Sequence, residues 1–415
     1  MKTFNRLLLA TGFCILSSGC IGASNGSPSQ PSINPFPYSL PNGTSLPALS
    51  GPNVMSLSVN GPGCSNTYPN KPCASVTICE PGTNHCVTVN DLLVDTGSYG
   101  LRVFKSALGN LSLPQVVNAS STPVAQCVHF GDGSADWGPV ATADLVLGGE
   151  PTITSPIQVI DSTYFSGHYN CANPDTGPSD AGFNGILGIG LFAQDCGPDC
   201  ASTTNNGMYY ACSGSSCTST RLAVTSQVQN PASLLPIDNN GVILELPSVA
   251  ATGTASTNGY IVFGIGTRSN NIPGSVQTFA ADPQTAQFVT SFNGHTYRSF
   301  IDSGSNGLFF PSGVVADCGG SLGGWFCPST QTLLTATNSA YTGSPSGSFD
   351  FQVVSMRDLL SNSGAWVFPS MSGSSGSGGL NGLFDWGLPF YLGRNVYLGI
   401  EGTSSTLGTG PYWAY

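Results

Sequence analysis

The sequence predicts an all-β protein made of two related halves, on three observations. Charged residues are only 7 % of the 415, whereas glycine numbers 54 and proline 30, a balance that favours many short strands and turns over long charged helices. A local pattern occurs twice, as Leu92-Leu93-Val94-Asp95-Thr96-Gly97-Ser98-Tyr99-Gly100-Leu101 and as Ser299-Phe300-Ile301-Asp302-Ser303-Gly304-Ser305-Asn306-Gly307-Leu308. Each copy is an apolar strand entering Asp-x-Gly-Ser-x-Gly-Leu. Downstream of each lies a second related pair, Asn184-Gly185-Ile186-Leu187-Gly188-Ile189-Gly190-Leu191 and Asn381-Gly382-Leu383-Phe384-Asp385-Trp386-Gly387-Leu388. Order is preserved and the separations are similar, so the chain reads as two copies of one unit.

At the start of the chain, Lys2 and Arg6 precede an apolar run from Leu7 to Leu16, too short to span a membrane as a mature helix and therefore read as an export signal. The run ends in Leu16-Ser17-Ser18-Gly19-Cys20, which resembles the lipobox of bacterial lipoproteins and marks Cys20 as the lipidated first mature residue. Ser17 stands where that motif prefers Leu, which leaves cleavage ahead of an ordinary soluble end as the alternative. The expected organisation is a signal peptide over 1–19, a flexible Ser-, Pro- and Gly-rich tether over 20–50, an N-terminal lobe over 51–225 and a C-terminal lobe over 226–415. Membrane attachment is through the lipid, and Ile21 after the lipid Cys directs the protein to the outer membrane of a Gram-negative host; a periplasmic or secreted protein is the alternative.

Size and charge bound the partners. The length permits a large core, and a monomer is expected. A net charge of -11 with only 10 Lys plus Arg leaves no basic face for phosphates, which excludes nucleic acid as a partner. Beyond Cys14 and Cys20, twelve cysteines remain, at 64, 73, 79, 86, 127, 171, 196, 200, 212, 217, 318 and 327. Their even number and the short spacings of Cys64 with Cys73, Cys79 with Cys86 and Cys318 with Cys327 point to disulfides in an oxidising compartment, with the full pairing left open. Cys196-Gly-Pro-Asp-Cys200 and Cys212-Ser-Gly-Ser-Ser-Cys217 depart from common zinc ribbons, so no metal or other cofactor is expected. His85, His129, His168 and His295 have no ligand or catalytic spacing. The one Gly-x-Ser-x-Gly match, Gly22 to Gly26, lies in the tether with no strand before it, which argues against a serine hydrolase.

The Asp turns carry the chemistry. An apolar strand ending in Asp-Thr-Gly or Asp-Ser-Gly sets a carboxylate on a tight turn, where Gly permits backbone geometry that a side chain forbids. If two such turns face one another, Asp95 and Asp302 meet, and like charges that close share a proton. One carboxylate can then deprotonate a water while the other protonates or polarises a carbonyl, which is general acid-base hydrolysis without metal or covalent intermediate.

At these motifs the sequence resembles the pepsin-like aspartic peptidases. Phe130-Gly131-Asp132-Gly133-Ser134 with Gly138 and Asp144 to Gly149 is similar to that family's flap hairpin, Asn184 to Gly188 to the segment beneath its first catalytic turn, and Tyr260-Ile261-Val262-Phe263-Gly264 to the strand opening its second lobe. The resemblance covers about residues 55–415 and implies a bilobal pepsin-like acid protease fold with two pseudo-twofold-related β lobes. It implies Asp95 and Asp302 as the catalytic pair, with Thr96 and Ser303 bracing the turns. Gly97, Ser98, Gly304 and Ser305 then surround the dyad, and Phe130, Gly131 and Asp132 form the flap that meets a polypeptide substrate. The expected activity is that of an endopeptidase with an acid optimum, cutting between apolar side chains. Residues between Cys20 and Val54 are too few, and lack the basic cluster, for that family's inhibitory prosegment.

Two departures qualify the likeness. The flap Tyr is Phe130, and the Trp it contacts is Arg102, which keeps open a catalytically inactive scaffold that binds peptides or inhibits another enzyme, and a structural envelope lipoprotein. The counterpart of Gly188 in the second half is either Asp385, by the repeat, or Gly387. The Gly/Ser run from Ser370 to Gly379 reads as a flexible loop that can overhang a cleft.

Overall fold

The computed structural model describes residues 46–165, 171–376 and 378–415. The expected signal peptide, Cys20, most of the tether and His168 lie outside the described residues. Within them the protein is all-β, and the longest helix, Met356–Ser361, has six residues. No helix there is long and apolar enough to cross a membrane.

The first half supplies β1 (Val54–Val59), β2 (Pro72–Cys79), β3 (Cys86–Asp95), β4 (Tyr99–Phe104), β5 (Val124–His129), β6 (Ala135–Val146), β7 (Ile153–Ile160), β8 (Gly185–Ile189), β9 (Tyr209–Ser213) and β10 (Ser216–Ser219). Six of them run in the order β6-β7-β4-β8-β3-β2, and β2 pairs again with β6, so they close into a barrel. Leu92, Leu93 and Val94 on β3 and Ile186, Leu187 and Ile189 on β8 are all buried. Such unbroken apolar runs suit strands covered on both faces.

The second half supplies β11 (Gly241–Leu246), β12 (Thr257–Phe263), β13 (Thr278–Ala280), β14 (Phe288–Phe292), β15 (His295–Ile301), β16 (Leu308–Phe310), β17 (Thr332–Ser339), β18 (Ser346–Val353), β19 (Ser372–Ser374), β20 (Leu383–Trp386) and β21 (Arg394–Gly399), then β22 (Ser404–Ser405), β23 (Gly408–Thr409) and β24 (Tyr412–Ala414). A seven-stranded sheet, β18-β17-β14-β15-β20-β16-β19, forms its own layer. The remaining long strands extend the barrel's sheet, because β1 pairs with β12 from Val54↔Val262 to Val59↔Thr257. Under the seven-stranded sheet, Phe292, Phe310, Phe351, Phe384 and Trp386 pack mostly edge to face, a favoured aromatic geometry.

One local arrangement is built twice. β3 lies parallel to β8, and β4 returns antiparallel to β8, with Asp95 opposite Gly188. β15 likewise lies parallel to β20, and β16 returns antiparallel to β20. Ile301 is opposite Trp386, and the Asp302 N–H donates to Trp386 O at 2.9 Å, so the position opposite Asp302 is Gly387. Gly387 is therefore the counterpart of Gly188, and Asp385 occupies the place of Ile186. A gapless comparison of the two segments misses this by two residues.

The twelve described cysteines form six disulfides: Cys64–Cys73, Cys79–Cys86, Cys127–Cys171, Cys196–Cys200, Cys212–Cys217 and Cys318–Cys327. Six bridges are consistent with an exported protein. Cys127–Cys171 closes the longest loop, with a separation of 44 residues, between the loop lengths for which chain entropy gives about 3 and 4.7 kcal/mol. Replacing both cysteines by Ser is expected to lower the guanidinium unfolding free energy by about that amount, more than any other single bridge.

Candidate active site

The repeat places its two aspartates at equivalent points, Asp95 as the last residue of β3 and Asp302 as the first after β15. Both are buried, at 3 % and 0 % exposure. Each turn folds back on its own carboxylate. The Gly97 N–H donates to Asp95 Oδ1 at 2.8 Å and the Gly304 N–H to Asp302 Oδ1 at 2.7 Å. The Ser98 hydroxyl meets Asp95 Oδ2 at 2.6 Å and the Ser305 hydroxyl meets Asp302 Oδ2 at 3.1 Å. Charge-assisted donors of this kind favour an ionised carboxylate.

The turns are then locked together. The Ser303 N–H donates to Thr96 Oγ1 at 2.9 Å, and the Thr96 N–H donates to Ser303 Oγ at 3.2 Å. In turn the Thr96 hydroxyl reaches Ile301 O at 2.9 Å and the Ser303 hydroxyl reaches Val94 O at 2.7 Å, each in the opposite half. Reciprocity of this kind satisfies every group involved in a dry environment. Tyr391 adds a hydroxyl 2.7 Å from Thr96 Oγ1.

The two glycines are needed for space. Neither Gly97 nor Gly304 has a positive φ, so the backbone freedom expected of them from the sequence is not the reason for either. A Cβ on Gly97 would stand 2.7 Å from Asp302 Cγ, and one on Gly304 would stand 2.8 Å from Asp95 Oδ1. Each turn is thus pressed against the other turn's carboxylate. The Asp302 carboxyl is held well above the usual carboxylate range by burial, then by the charges of Asp95 and Asp385 and its bond with Asp95. A carboxyl that keeps its proton beside a carboxylate is an acid and a base in contact.

A third acid belongs to the cluster. Asp385 is fully buried, and its Oδ2 is 2.5 Å from the Ser305 hydroxyl that also faces Asp302. Burial pushes its pKa up to about 8 against the lowering effect of the Ser305 bond. The sequence presented Asp385 only as a rival for Gly188, and no spacing rule links it to Ser305. Tyr391 and Tyr68 were likewise missed. Tyr68 lies buried in the loop between β1 and β2, and its hydroxyl is pushed up by burial and by the charges of Asp91, Asp95 and Asp302.

The expected flap is the turn joining β5 to β6, closed by Phe130 N–H to Ser134 O at 2.9 Å. Asp132 binds within this turn, accepting from the Ser134 N–H at 2.8 Å and hydroxyl at 2.6 Å. Phe130 packs on Leu93, Phe104, Ile160, Ala181, Phe183 and Ile186. Gly131 O accepts from the Gly379 N–H at 3.0 Å, which brings the Gly/Ser segment of the second half onto the flap tip. Arg102 is buried and ion-paired with Asp195 at 2.8 Å, and Asp195 also accepts from Tyr209 at 2.6 Å. Cys127 with His129 and Cys171, and Cys64 with Cys73 and Asp91, have metal-like proximity, but their cysteines are in disulfides and offer no thiolate.

Ser303→Ala removes the donor to Val94 O and the acceptor of the Thr96 N–H. The expected result is a loss of about 1–3 kcal/mol for each buried group left unpaired, read by urea denaturation. Stability should also fall as pH rises. Burial and Asp238 raise the Glu150 carboxyl to about 7, and Asp385 stands at about 8. For such raised acids the stabilisation is complete below their unfolded pKa near 4 and is lost as pH climbs through the folded values. A melting temperature that declines between about pH 4 and 8, less steeply in Glu150→Gln, is expected.

No curated protein matches the chain. The motif likeness led to the expectation of a pepsin-like aspartic peptidase family member, and that expectation is corrected by the family whose model does match, protein of unknown function DUF3443, over residues 50–415. The quoted motifs are short turns and strands separated by long loops, and such segments specify a local carboxylate geometry without specifying a family. The match spans most of the sequence, and the chain belongs to the DUF3443 family.

Proposed function

We propose that the protein is an exported aspartic endopeptidase in which Asp95 and Asp302 activate a water against a peptide carbonyl. On this reading its two halves are the lobes of a bilobal acid-protease architecture, with the substrate lying between them. The observation that carries it is the mutual contact of the turns, each glycine set against the opposite carboxylate. Asp302, the member whose carboxyl is held up, polarises the carbonyl oxygen while Asp95 takes a proton from the water. Hydroxide adds to the carbonyl carbon, the tetrahedral species collapses, and the amine leaves with a proton returned from the dyad. Peptide backbone pairs with Gly131 and Asp132 of the flap. Lipidation of Cys20 anchors the enzyme in the bacterial envelope.

A second reading, a peptide-binding scaffold without catalysis, is favoured by the flap, where Phe130 is turned into the first half's core and Gly131 O is already engaged by Gly379. One assay separates the two. The disulfide-bonded protein, Asp95→Asn and Asp302→Asn are incubated with a diverse peptide pool from about pH 3 to 8, with and without a statine-type inhibitor. Cleavage on the acid side, blocked by the inhibitor and reduced at least about 100-fold in each variant, is expected. A folded wild type that cuts nothing across the range refutes the peptidase and leaves the scaffold.

A further inference from the structure

The dyad is not served equally from its two sides. Ser98 binds one carboxylate, Asp95, whereas Ser305 bridges two, Asp302 at 3.1 Å and Asp385 at 2.5 Å. A serine hydroxyl has one hydrogen, so it cannot donate to both. Its direction depends on whether Asp385 carries a proton. The surroundings answer that. Asp385 is fully buried, neighbours Phe384 and Trp386 in sequence, and pairs across the sheet with Phe300 and Phe309. Its Oδ1 has no hydrogen-bond partner among the described residues. An ionised carboxylate would leave charge on that bare oxygen in an apolar setting, a state that burial disfavours. Among the described residues the titratable groups in its field are Asp95, Asp302 and the Tyr391 hydroxyl, none of which is a cation able to offset that charge.

We propose that Asp385 is a positioning residue for the dyad, held as a carboxylic acid that donates its proton to Ser305 Oγ and thereby commits the Ser305 hydroxyl to donate to Asp302. The relay is one-sided by construction, because the equivalent place in the first half is Ile186. It gives the dyad a fixed polarity: Asp302 Oδ2 receives a hydrogen bond whose direction is set from beneath, while Asp95 depends on Ser98 alone. Ionisation of Asp385 would reverse the shorter bond, withdraw the Ser305 hydrogen from Asp302 and add a charge beside the pair. The burial that pushes Asp385 up to about 8 keeps that event out of the acid and neutral range.

This inference rests on the peptidase reading for its consequence in catalysis, and on geometry alone for its protonation claim, so the two are tested apart. Isotope-edited infrared spectra of full-length protein carrying 13C-labelled Asp carboxyls, taken at about pH 7, should show an un-ionised carboxyl band that is absent from Asp385→Asn and displaced in Ser305→Ala. Identical spectra in wild type and Asp385→Asn overturn the proposal whether or not the protein cleaves peptides. For turnover, Asp385→Asn keeps an N–H donor to Ser305 and should retain kcat within about threefold. Asp385→Leu cannot aim the hydroxyl and should lose about 10- to 100-fold in kcat with KM little changed. Equal kcat in a folded Leu variant and the Asn variant also overturns it. A wild type that cleaves nothing sinks the peptidase alone, and the spectra then decide the proton on Asp385.

Discussion

Two carboxyl groups in contact and out of water are the constraint from which the centre of this molecule follows. Neither can ionise freely beside the other, and neither can be left without donors in a dry site. Each turn meets the second demand locally, with a glycine N–H on one oxygen and a serine hydroxyl on the other. The first is met only jointly, by retaining a proton on Asp302. Local and joint solutions are compatible because the Thr96 and Ser303 hydroxyls hold the turns in register. Without that brace nothing would hold the two carboxyls in contact against their mutual repulsion.

The rest of the fold mounts this brace. The strands that bear the aspartates run parallel to β8 and β20, which pass beneath the turns as Gly188 and Gly387. The first half holds its strand in a closed barrel, which has no free edge along which register can slip. The second half holds its strand in an open sheet and gains stiffness from an aromatic layer of Phe292, Phe310, Phe351, Phe384 and Trp386. Equivalent positions therefore carry different side chains. Arg102 on β4 corresponds to Phe309 on β16, and Ile186 to Asp385. The first half buries an Arg102–Asp195 pair where the second buries a ring, and the second places an acid under its serine where the first places a methyl-bearing side chain.

What was legible in the sequence was whatever is encoded within a few residues. An apolar strand running into Asp-x-Gly-Ser announces a held carboxylate, and two copies announce the pair Asp95 and Asp302; the bracing hydroxyls of Thr96 and Ser303 came only with the family resemblance. The disulfides Cys64–Cys73, Cys79–Cys86 and Cys318–Cys327 follow the same logic; Cys196–Cys200 and Cys212–Cys217 were weighed only against zinc ribbons, and Cys127–Cys171 joins residues too far apart for spacing to reveal. Register was not legible, because the partner of Asp302 is counted along hydrogen bonds while the repeat was counted along letters. Tyr391, 295 residues from Thr96, and Asp195, 93 from Arg102, lie beyond any local pattern. The family itself was misread for the converse reason: local motifs constrain a turn tightly and the intervening hundreds of residues hardly at all.

The turn joining β5 to β6 is tied to the second half through its tip. Gly131 offers its carbonyl to the Gly379 N–H, and a Cβ on Gly131 would lie 3.1 Å from Leu380 Cδ2. On the proposed peptidase reading, an extended peptide that pairs with this turn competes for the same carbonyl, so its entry would exchange one backbone hydrogen bond for another of similar strength. The net cost is then mainly that of moving the Gly/Ser segment and uncovering Leu380. Glycine and serine suit that duty, since they bury little surface and tolerate many backbone conformations. Phe130 holds the base of the hairpin against an apolar cluster of the first half.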